Sequence, residues 1–542
     1  MSSQKKIVVI GLDGGTLDLM VPWINDGKLP TFATIMQRGS YGPLRSTTPY
    51  YSAPAWVSMV TGVQPGKHGI YDFFRTDTPK KSIVTSQYRK APALWKILTE
   101  YDKSSIIVNV PGTFPPEKIN GVMITGLLTP SKDSNYTYPS SLKKELVPER
   151  LGEYELEQVA VDDIPKNLIA RYSPEKLAEM VNHNTTSHAT VTMNLMAREE
   201  WDFSMVVFRG TDDVQHLLWH RKDLILTCYQ KADEFIGKMM RSYPDAMFII
   251  VSDHGFGQPK KYFYVNNALY NAGYLHAKSD PSRNIFTLIN LLFDTFSNLI
   301  FHVVPIQQIA RSDIGRKIIL SSGSGSNIDF SKTRAMYHSV CSRGIRINLK
   351  GKYPHGIVEE RDYESLRKEI IDFLRGIKDP ETNEHLVKTI YTKEEVYGDH
   401  AVNDPLDIIF DLEEDYGAQE LLQPLGGLHG LFSSQRKLEI VTQPGFFDWE
   451  GDHRPNGIFF SYGPNIKNTT VEASIVDIVP TILASMHLSI PKNLDGNVLN
   501  DIFIEPPPVT MSDSTPEKKQ LLSMAELQKI KKLRHHSKKN KD

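Results

Sequence analysis

Cysteine is almost missing from this chain: 542 residues contain two, Cys228 and Cys341, far apart and without metal-type spacing. That scarcity excludes a disulfide framework, and a reducing compartment is the natural expectation. An excess of charge of one sign is missing as well. Lysine and arginine number 62 against 64 acids, a net of −2, which excludes a globally basic nucleic-acid binder. An uninterrupted apolar run of membrane length is also lacking. The most apolar later stretch, Ile285–Pro305, is broken by Asn290, Asp294, Asn298 and His302, so no stable membrane span is expected. Its apolar positions Ile285, Leu288, Leu292, Phe296 and Leu299 instead follow helical spacing. This reads as a buried helix or, alternatively, as a lid over an apolar substrate group or a membrane surface. The short charged start, MSSQKK, lacks a signal-peptide pattern, and a cytoplasmic location is expected from it.

What the chain does contain is enough apolar content, 40%, for a large core in two or three structural units. Met247–Val251 (MFIIV) is a continuous apolar run that enters Ser252-Asp253-His254-Gly255. Such a run reads as a strand of a parallel sheet buried on both faces. Asp253 and His254 then stand beyond its carboxyl end, where open α/β sheets bind ligands. A carboxylate beside an imidazole suits a zinc-type divalent cation, although alone it is more often a surface turn. The arrangement recurs. Lys6–Ile10 runs into Gly11-Leu12-Asp13-Gly14-Gly15, and Ser204–Phe208 is followed by Asp212, Asp213 and His216. Late in the chain, Asp452-His453 precedes the strand-like Gly457–Ser461. One fold could gather these clusters at a single sheet edge.

Further strands are expected at Ser105–Asn109 and Val122–Thr125, and helices at Leu94–Tyr101, Pro174–Glu199, Lys222–Ser242 and Ile475–Met486. Strands alternating with helices predict an α/β fold with a mostly parallel sheet. Tyr41–Tyr51, rich in Thr, Pro and Tyr, reads as an extended loop. It leads into Ser52–Gly62, where Ser52 has N-cap character, Pro54 suits a first turn and Gly62 closes the helix. Ser52 either caps only or is a nucleophile at a helix N-terminus, where free amides and the dipole favour a phosphoryl anion. His68, in Gln64–Ile70, reads as a turn-holding residue rather than a ligand.

Between about residues 258 and 440 the pattern loosens. Ser321–Ser326 is loop-like, Gly344–Leu349 and Leu406–Leu412 resume strand character, and Tyr363–Gly376 reads as a helix. The division expected is a core of residues 1–257 and 441–505, a cap or insertion at 258–440 and a basic disordered tail at 506–542. Pro506-Pro507-Pro508 marks the end of the globular part. Glu517–Asp542 holds nine basic residues against three acids, a net of about +6, leaving about −8 on the body. Leu522, Ala525, Ile530 and Leu533 would give that tail a weak amphipathic face for an anionic surface.

Taken in order, Gly11-Leu12-Asp13-Gly14, Ser52–Ile70, Asp212-x-x-x-His216, Ser252–Gly255 and His453 resemble the alkaline phosphatase superfamily. The closest branch is the type I phosphodiesterase/nucleotide pyrophosphatase family. The resemblance implies an α/β/α sandwich binding two divalent metal ions, zinc or alternatively manganese. One ion would be held by Asp13, Asp253, His254 and the nucleophile oxygen of Ser52, and the other by Asp212, His216 and His453. His429, in Gly427–Gly430, competes for the last position; His453 is preferred because GIFFSYGP after it is also family-like. Many diesterases of this branch carry Thr where Ser52 stands, and the same chemistry is open to either. It would proceed through a phosphoseryl intermediate on a small-molecule phosphoester.

Two departures narrow the reading. Trp56 stands where sulfatases, which share the fold, resemble one another in carrying Arg, so a sulfatase is disfavoured. Phe73 stands where nucleotide pyrophosphatases commonly carry an Asn that binds phosphoryl oxygen. A backbone amide at the Ser52 helix or Lys67 would have to replace it. Phosphomonoesterase, phosphomutase or phosphotransferase activity is the alternative, and a non-catalytic protein binding through its basic tail is a remote one.

Overall fold

The computed structural model describes residues 6–77, 82–156, 172–278, 328–420, 432–434 and 450–513. The expectations for Ile285–Pro305, Ser321–Ser326, His429 and Glu517–Asp542 lie outside these residues.

The apolar runs of the sequence become the middle of a ten-stranded sheet. We number its first strands β1 (Ile7–Leu12), β2 (Ser40–Arg45), β3 (Ser105–Val110), β4 (Gly121–Thr125), β5 (Thr137–Tyr138), β6 (Phe203–Phe208) and β7 (Met247–Val251). β7, β1, β6, β3 and β4 lie side by side and parallel. Asn456–Tyr462 joins antiparallel between β7 and β2, and β5 closes the other side antiparallel to β4.

Alternation along these strands explains why the runs are apolar throughout. Val8, Ile10, Leu12, Val206, Phe208, Phe248 and Ile250 point into one buried cluster, covered by the helices Leu17–Asn25, Pro30–Arg38, Pro174–Arg198 and Lys222–Ser242. Ile7, Val9, Met205, Val207, Ile249 and Val251 point into a second, covered by Ser52–Thr61, Leu94–Glu100 and Ile478–Ser485. A strand facing helices on both sides has no polar face to spare. The architecture is the α/β/α sandwich expected. Gly11 shows how tightly the second layer sits: a Cβ there would lie 2.3 Å from the Trp56 ring.

A third cluster draws on residues 263–277 and 328–418. Ala335–Tyr337, Gly344–Ile347, Ile408–Leu412 and Val387–Thr392 form a separate antiparallel sheet, with Tyr363–Gly376 as the accompanying helix. Among the described residues no helix is long and apolar enough to cross a membrane.

Two local expectations are corrected. Ser40–Arg45 is a sheet strand, not the start of an extended loop; Leu44 lies opposite Gly457 and Pro43 opposite Ile458. Its Pro and Gly content hid a strand that exists through tertiary pairing. The chain also stays in the fold past Pro506–Pro508, since Met511–Ser512 pairs in parallel with Ile490–Pro491.

His68 holds its turn as expected. Its Nδ1 accepts from Ile70 N at 3.1 Å, so the neutral ring carries its proton on Nε2, 2.8 Å from Ser58 Oγ. Burial, with Arg89 nearby, pushes His68 down to about 3, and burial brings His188 down to about 4. A folded-state value below the unfolded one means that the unfolded chain takes up protons first as pH falls. Stability should therefore be lost from about pH 6.5 downwards. Thermal unfolding of the wild type should give a falling midpoint on acidification, with a shallower fall for His68→Gln. An unchanged slope in the variant would refute the assignment.

Candidate active site

Five segments meet at the carboxyl edge of the parallel sheet. The chain leaves β1 through Asp13 and turns at Gly14, whose φ of 65° favours a residue without a side chain. Thr211 Oγ1 donates to Asp13 O at 2.6 Å and Gln215 Nε2 to Gly14 O at 2.9 Å, fixing the turn against the neighbouring helix. Gly14 N in turn donates to Asp253 Oδ1 at 3.2 Å, beyond the end of β7. After β6 the helix Gly210–Leu218 begins, and the four-residue spacing puts Asp212 and His216 on one face of it. His453 arrives on the short strand Asp452–Arg454, paired antiparallel with Gly255–Gly257.

Ser52 is placed differently from the expectation of an N-cap. Tyr51 occupies the cap position with extended backbone, and Ser52 is the first helical residue. Its Oγ turns away from the helix, to 3.4 Å from Asp13 Oδ1 and 3.2 Å from His254 Nε2. Helical bonding begins at Ala55 N, which donates to Tyr51 O at 3.0 Å, and Pro54 has no N–H. The amides of Ser52 and Ala53 thus precede the helix ladder at the positive end of the dipole. Lys67, the other replacement donor considered, is tied to Asp495 and Asn493 O.

All seven candidate residues converge, and their donor atoms fall into two groups. In the first, His254 Nε2 lies 3.6 Å from Asp13 Oδ1 and 3.2 Å from Asp253 Oδ2, with Ser52 Oγ completing the set. In the second, Asp212 Oδ1 lies 3.4 Å from His216 Nε2 and 3.3 Å from His453 Nε2, and the two nitrogens are 2.9 Å apart. Around a tetrahedral zinc with bonds of about 2.0–2.1 Å, neighbouring donors stand roughly 3.3 Å apart. The stacked rings of His254 and His453, with centroids 3.6 Å apart, join the two groups, and Asp212, His254 and His453 also cluster as a trio.

Electrostatics agree with a site suited to positive charge. Asp13, Asp253 and Asp212 are all buried, yet Asp212 Oδ1 and Asp253 Oδ2 make no hydrogen bond. Buried carboxylate oxygens left so are normally paired or bound to metal. Burial, then the charges of Asp253 and Asp212, hold Asp13 well above the usual carboxylate range. Burial and Asp212 push Asp253 up to about 7. Burial acts upward on Asp212 too, but His216 and His453 outweigh it and hold it well below that range. Burial, then His254, brings His453 down to about 3, the neutral form a cation binds. The donor set and its spacing fit divalent metal binding.

Trp56 was read in the sequence only as the residue that disfavours a sulfatase. In the structure its Nε1 donates to Asp13 Oδ2 at 3.0 Å, leaving Oδ1 for the Ser52 side. Its position four residues after Ser52, on the same helix face, was the signal available. Tyr51 and Asp452 also contact the site; the sequence places Asp452 in the cluster with His453 without giving it a role, and it marks Tyr51 only as the end of a loop. Phe73 packs against the apolar cluster of Ala53, Val57, Ile70, Val84, Leu127 and Leu128.

A doubly covered parallel sheet with this acid, imidazole and serine edge defines a phosphoester hydrolase of alkaline phosphatase-like fold. Comparison with known proteins gives the same class. The chain belongs to the type I phosphodiesterase/nucleotide pyrophosphatase family, whose pattern spans residues 7–416. Human ectonucleotide pyrophosphatase/phosphodiesterase 5 has the same fold, with a TM-score of 0.50 at 13% identity over 92% of this chain and 100% of that one. Its murine counterpart gives 0.49 at 14% identity over 92% and 100%. Phosphonoacetate hydrolase from Sinorhizobium meliloti 1021, in complex with phosphonoformate, gives 0.49 at 14% identity over 88% and 94%. No curated protein sequence matches the chain.

Proposed function

We propose that this chain is a metal-dependent phosphodiesterase of the nucleotide pyrophosphatase type, with Ser52 as nucleophile. The observation that carries this reading is the place of Ser52 Oγ, within 3.4 Å of both Asp13 Oδ1 and His254 Nε2 at the start of a helix. Asp13, Asp253 and His254 would hold one cation with Ser52, and Asp212, His216 and His453 the other, zinc or manganese. When bound, such a pair supplies Lewis-acid stabilisation of the attacking and leaving oxygens.

The protein's own part is positioning. Ser52 Oγ attacks phosphorus, the P–O bond to the alcohol or nucleotide breaks, and a phosphoseryl ester remains until water frees the serine. The Ser52 and Ala53 amides would face the charge growing on the non-bridging oxygens. Residues 258–440 would act as a cap that selects the substrate, over a core of 1–257 and the residues after 440 through the Met511–Ser512 pairing.

Phe73 favours a second reading within the same class. Its ring supplies no polar contact, so a monoester, or transfer to another acceptor, competes with the diester. Hydrolysis of a chromogenic diester and the matching monoester, together with metal analysis, tests both. About two ions per chain and faster diester cleavage support the first reading. Faster monoester cleavage with the same metal content would move the protein to the second, and an absence of bound metal would refute the mechanism.

A further inference from the structure

The three site imidazoles are not anchored alike. His216 Nδ1 lies 3.0 Å from Gly451 O, and His254 Nδ1 lies 3.1 Å from Gly255 O. Each has the carbonyl partner that usually fixes a ligand histidine through its far nitrogen. His453 Nδ1 is buried and has no such partner. Its ring orientation must come from what packs on it and from the backbone at Asp452.

Both lead to one guanidinium. The Tyr51 ring packs on His453 with centroids 4.4 Å apart, and its hydroxyl donates to Asp452 Oδ1 at 3.2 Å. The same oxygen accepts from His453 N at 2.8 Å. Asp452 Oδ2 then accepts from Arg343 Nη2 at 3.2 Å. Arg343 Nη1 donates to Asp411 Oδ1 at 2.6 Å and to Tyr50 OH at 2.5 Å. Arg343 is 3% exposed and Asp452 4%, so this is an enclosed charge-assisted network. Arg343 and Asp411 belong to the separate antiparallel sheet region, Tyr50 and Tyr51 lead directly into Ser52, and Asp452 adjoins His453.

We propose that Arg343 is a positioning residue: through Asp452 and Tyr51 it orients His453 on one side of the site and the Ser52 helix start on the other. The region carrying Arg343 thus contributes to the site itself. The idea rests on the Ser52 reading above and adds a part that the seven candidate residues do not contain.

Three variants test it: Arg343→Met, Arg343→Lys and Tyr51→Phe, the last removing only the hydroxyl and leaving the ring on His453. Each is assayed for kcat and KM, for zinc affinity by chelator competition, and for thermal unfolding. Positioning predicts a kcat loss and a weakened zinc affinity of about 10- to 100-fold in Arg343→Met, with KM changing little. Arg343→Lys should recover part of both, and Tyr51→Phe should move both the same way by less. Should Arg343→Met fail to fold, the Lys and Phe variants decide. A lowered unfolding midpoint with wild-type kcat and zinc affinity would reduce Arg343 to a structural tie and overturn the proposal. Ser52→Ala is run in parallel. If it is inactive while the Arg343 and Tyr51 variants are unimpaired, only the positioning role fails. If it is fully active, the Ser52 reading fails, and the positioning role with it.

Discussion

Ser52→Ala is expected to keep the fold and the bound metal while losing hydrolysis by at least about a thousandfold in kcat. The size follows from the kind of group removed. A nucleophile that forms the covalent intermediate has no neighbour able to take its place at the same atom position. The fold should tolerate the change because the serine is the first helical residue and its Oγ bonds to Asp13 and His254, not to its own helix. Asp13 Oδ2 keeps its bond from Trp56 Nε1 at 3.0 Å, so that carboxylate stays oriented without the hydroxyl. Steady-state kinetics beside metal analysis and circular dichroism make the check. Wild-type kcat in a folded, metal-loaded variant would remove Ser52 from the mechanism, whereas loss of metal would make it a ligand first.

Metal removal should have the second large effect. Chelation is expected to reduce turnover to background, with recovery on adding zinc or manganese, and to lower the unfolding midpoint, because a cation that binds only the folded chain stabilises it. The metal-free protein should also respond to pH in a defined direction. Asp13 is held above the ordinary carboxylate range by burial and by Asp253, and Asp253 stands at about 7 through burial and Asp212. A folded-state value raised above the unfolded one gives stability that is present at low pH and lost as pH rises through it. His453 and His254 are lowered and act in the opposite sense, but chiefly below the ordinary imidazole value of about 6.5. As pH rises from about 6.5 through the Asp253 value of about 7, the carboxylates should therefore dominate, and the metal-free midpoint should fall. The loaded protein should stay level there, since a bound cation favours ionised carboxylates. Parallel thermal scans of the two forms would test this, and equal slopes would contradict the shared-cation reading.

The strands of the parallel sheet were readable because burial on both faces demands unbroken apolar runs, which Lys6–Ile10, Ser204–Phe208 and Met247–Val251 supply. The helices Lys222–Ser242 and Tyr363–Gly376 carry their own periodicity and have the expected bounds. The strand Ser40–Arg45 was not readable, because its Gly and Pro residues speak against a strand until Asn456–Tyr462 lies beside it. Nor was the helix Gly210–Leu218, whose first turn is Gly, Thr and two acids.

Residue order alone specifies the site's residue types and puts Asp13, Asp212, His216, Asp253 and His254 after apolar strands, because a parallel sheet delivers the residues that follow its strands to one edge. It also limits the chemistry those types can support, since carboxyl, imidazole and hydroxyl groups come with the residues themselves, whereas burial sets their protonation. Which oxygen and nitrogen atoms face one another is set by the three-dimensional packing. That depends on strand order, which places β1 between β6 and β7, and on packing that sequence separation conceals. Trp56 on Asp13 spans 43 residues, Tyr51 on Asp452 spans 401, and Arg343 on Asp452 spans 109. No local pattern encodes such contacts; they exist because folding buries these groups beside one another, where each polar atom must find a partner.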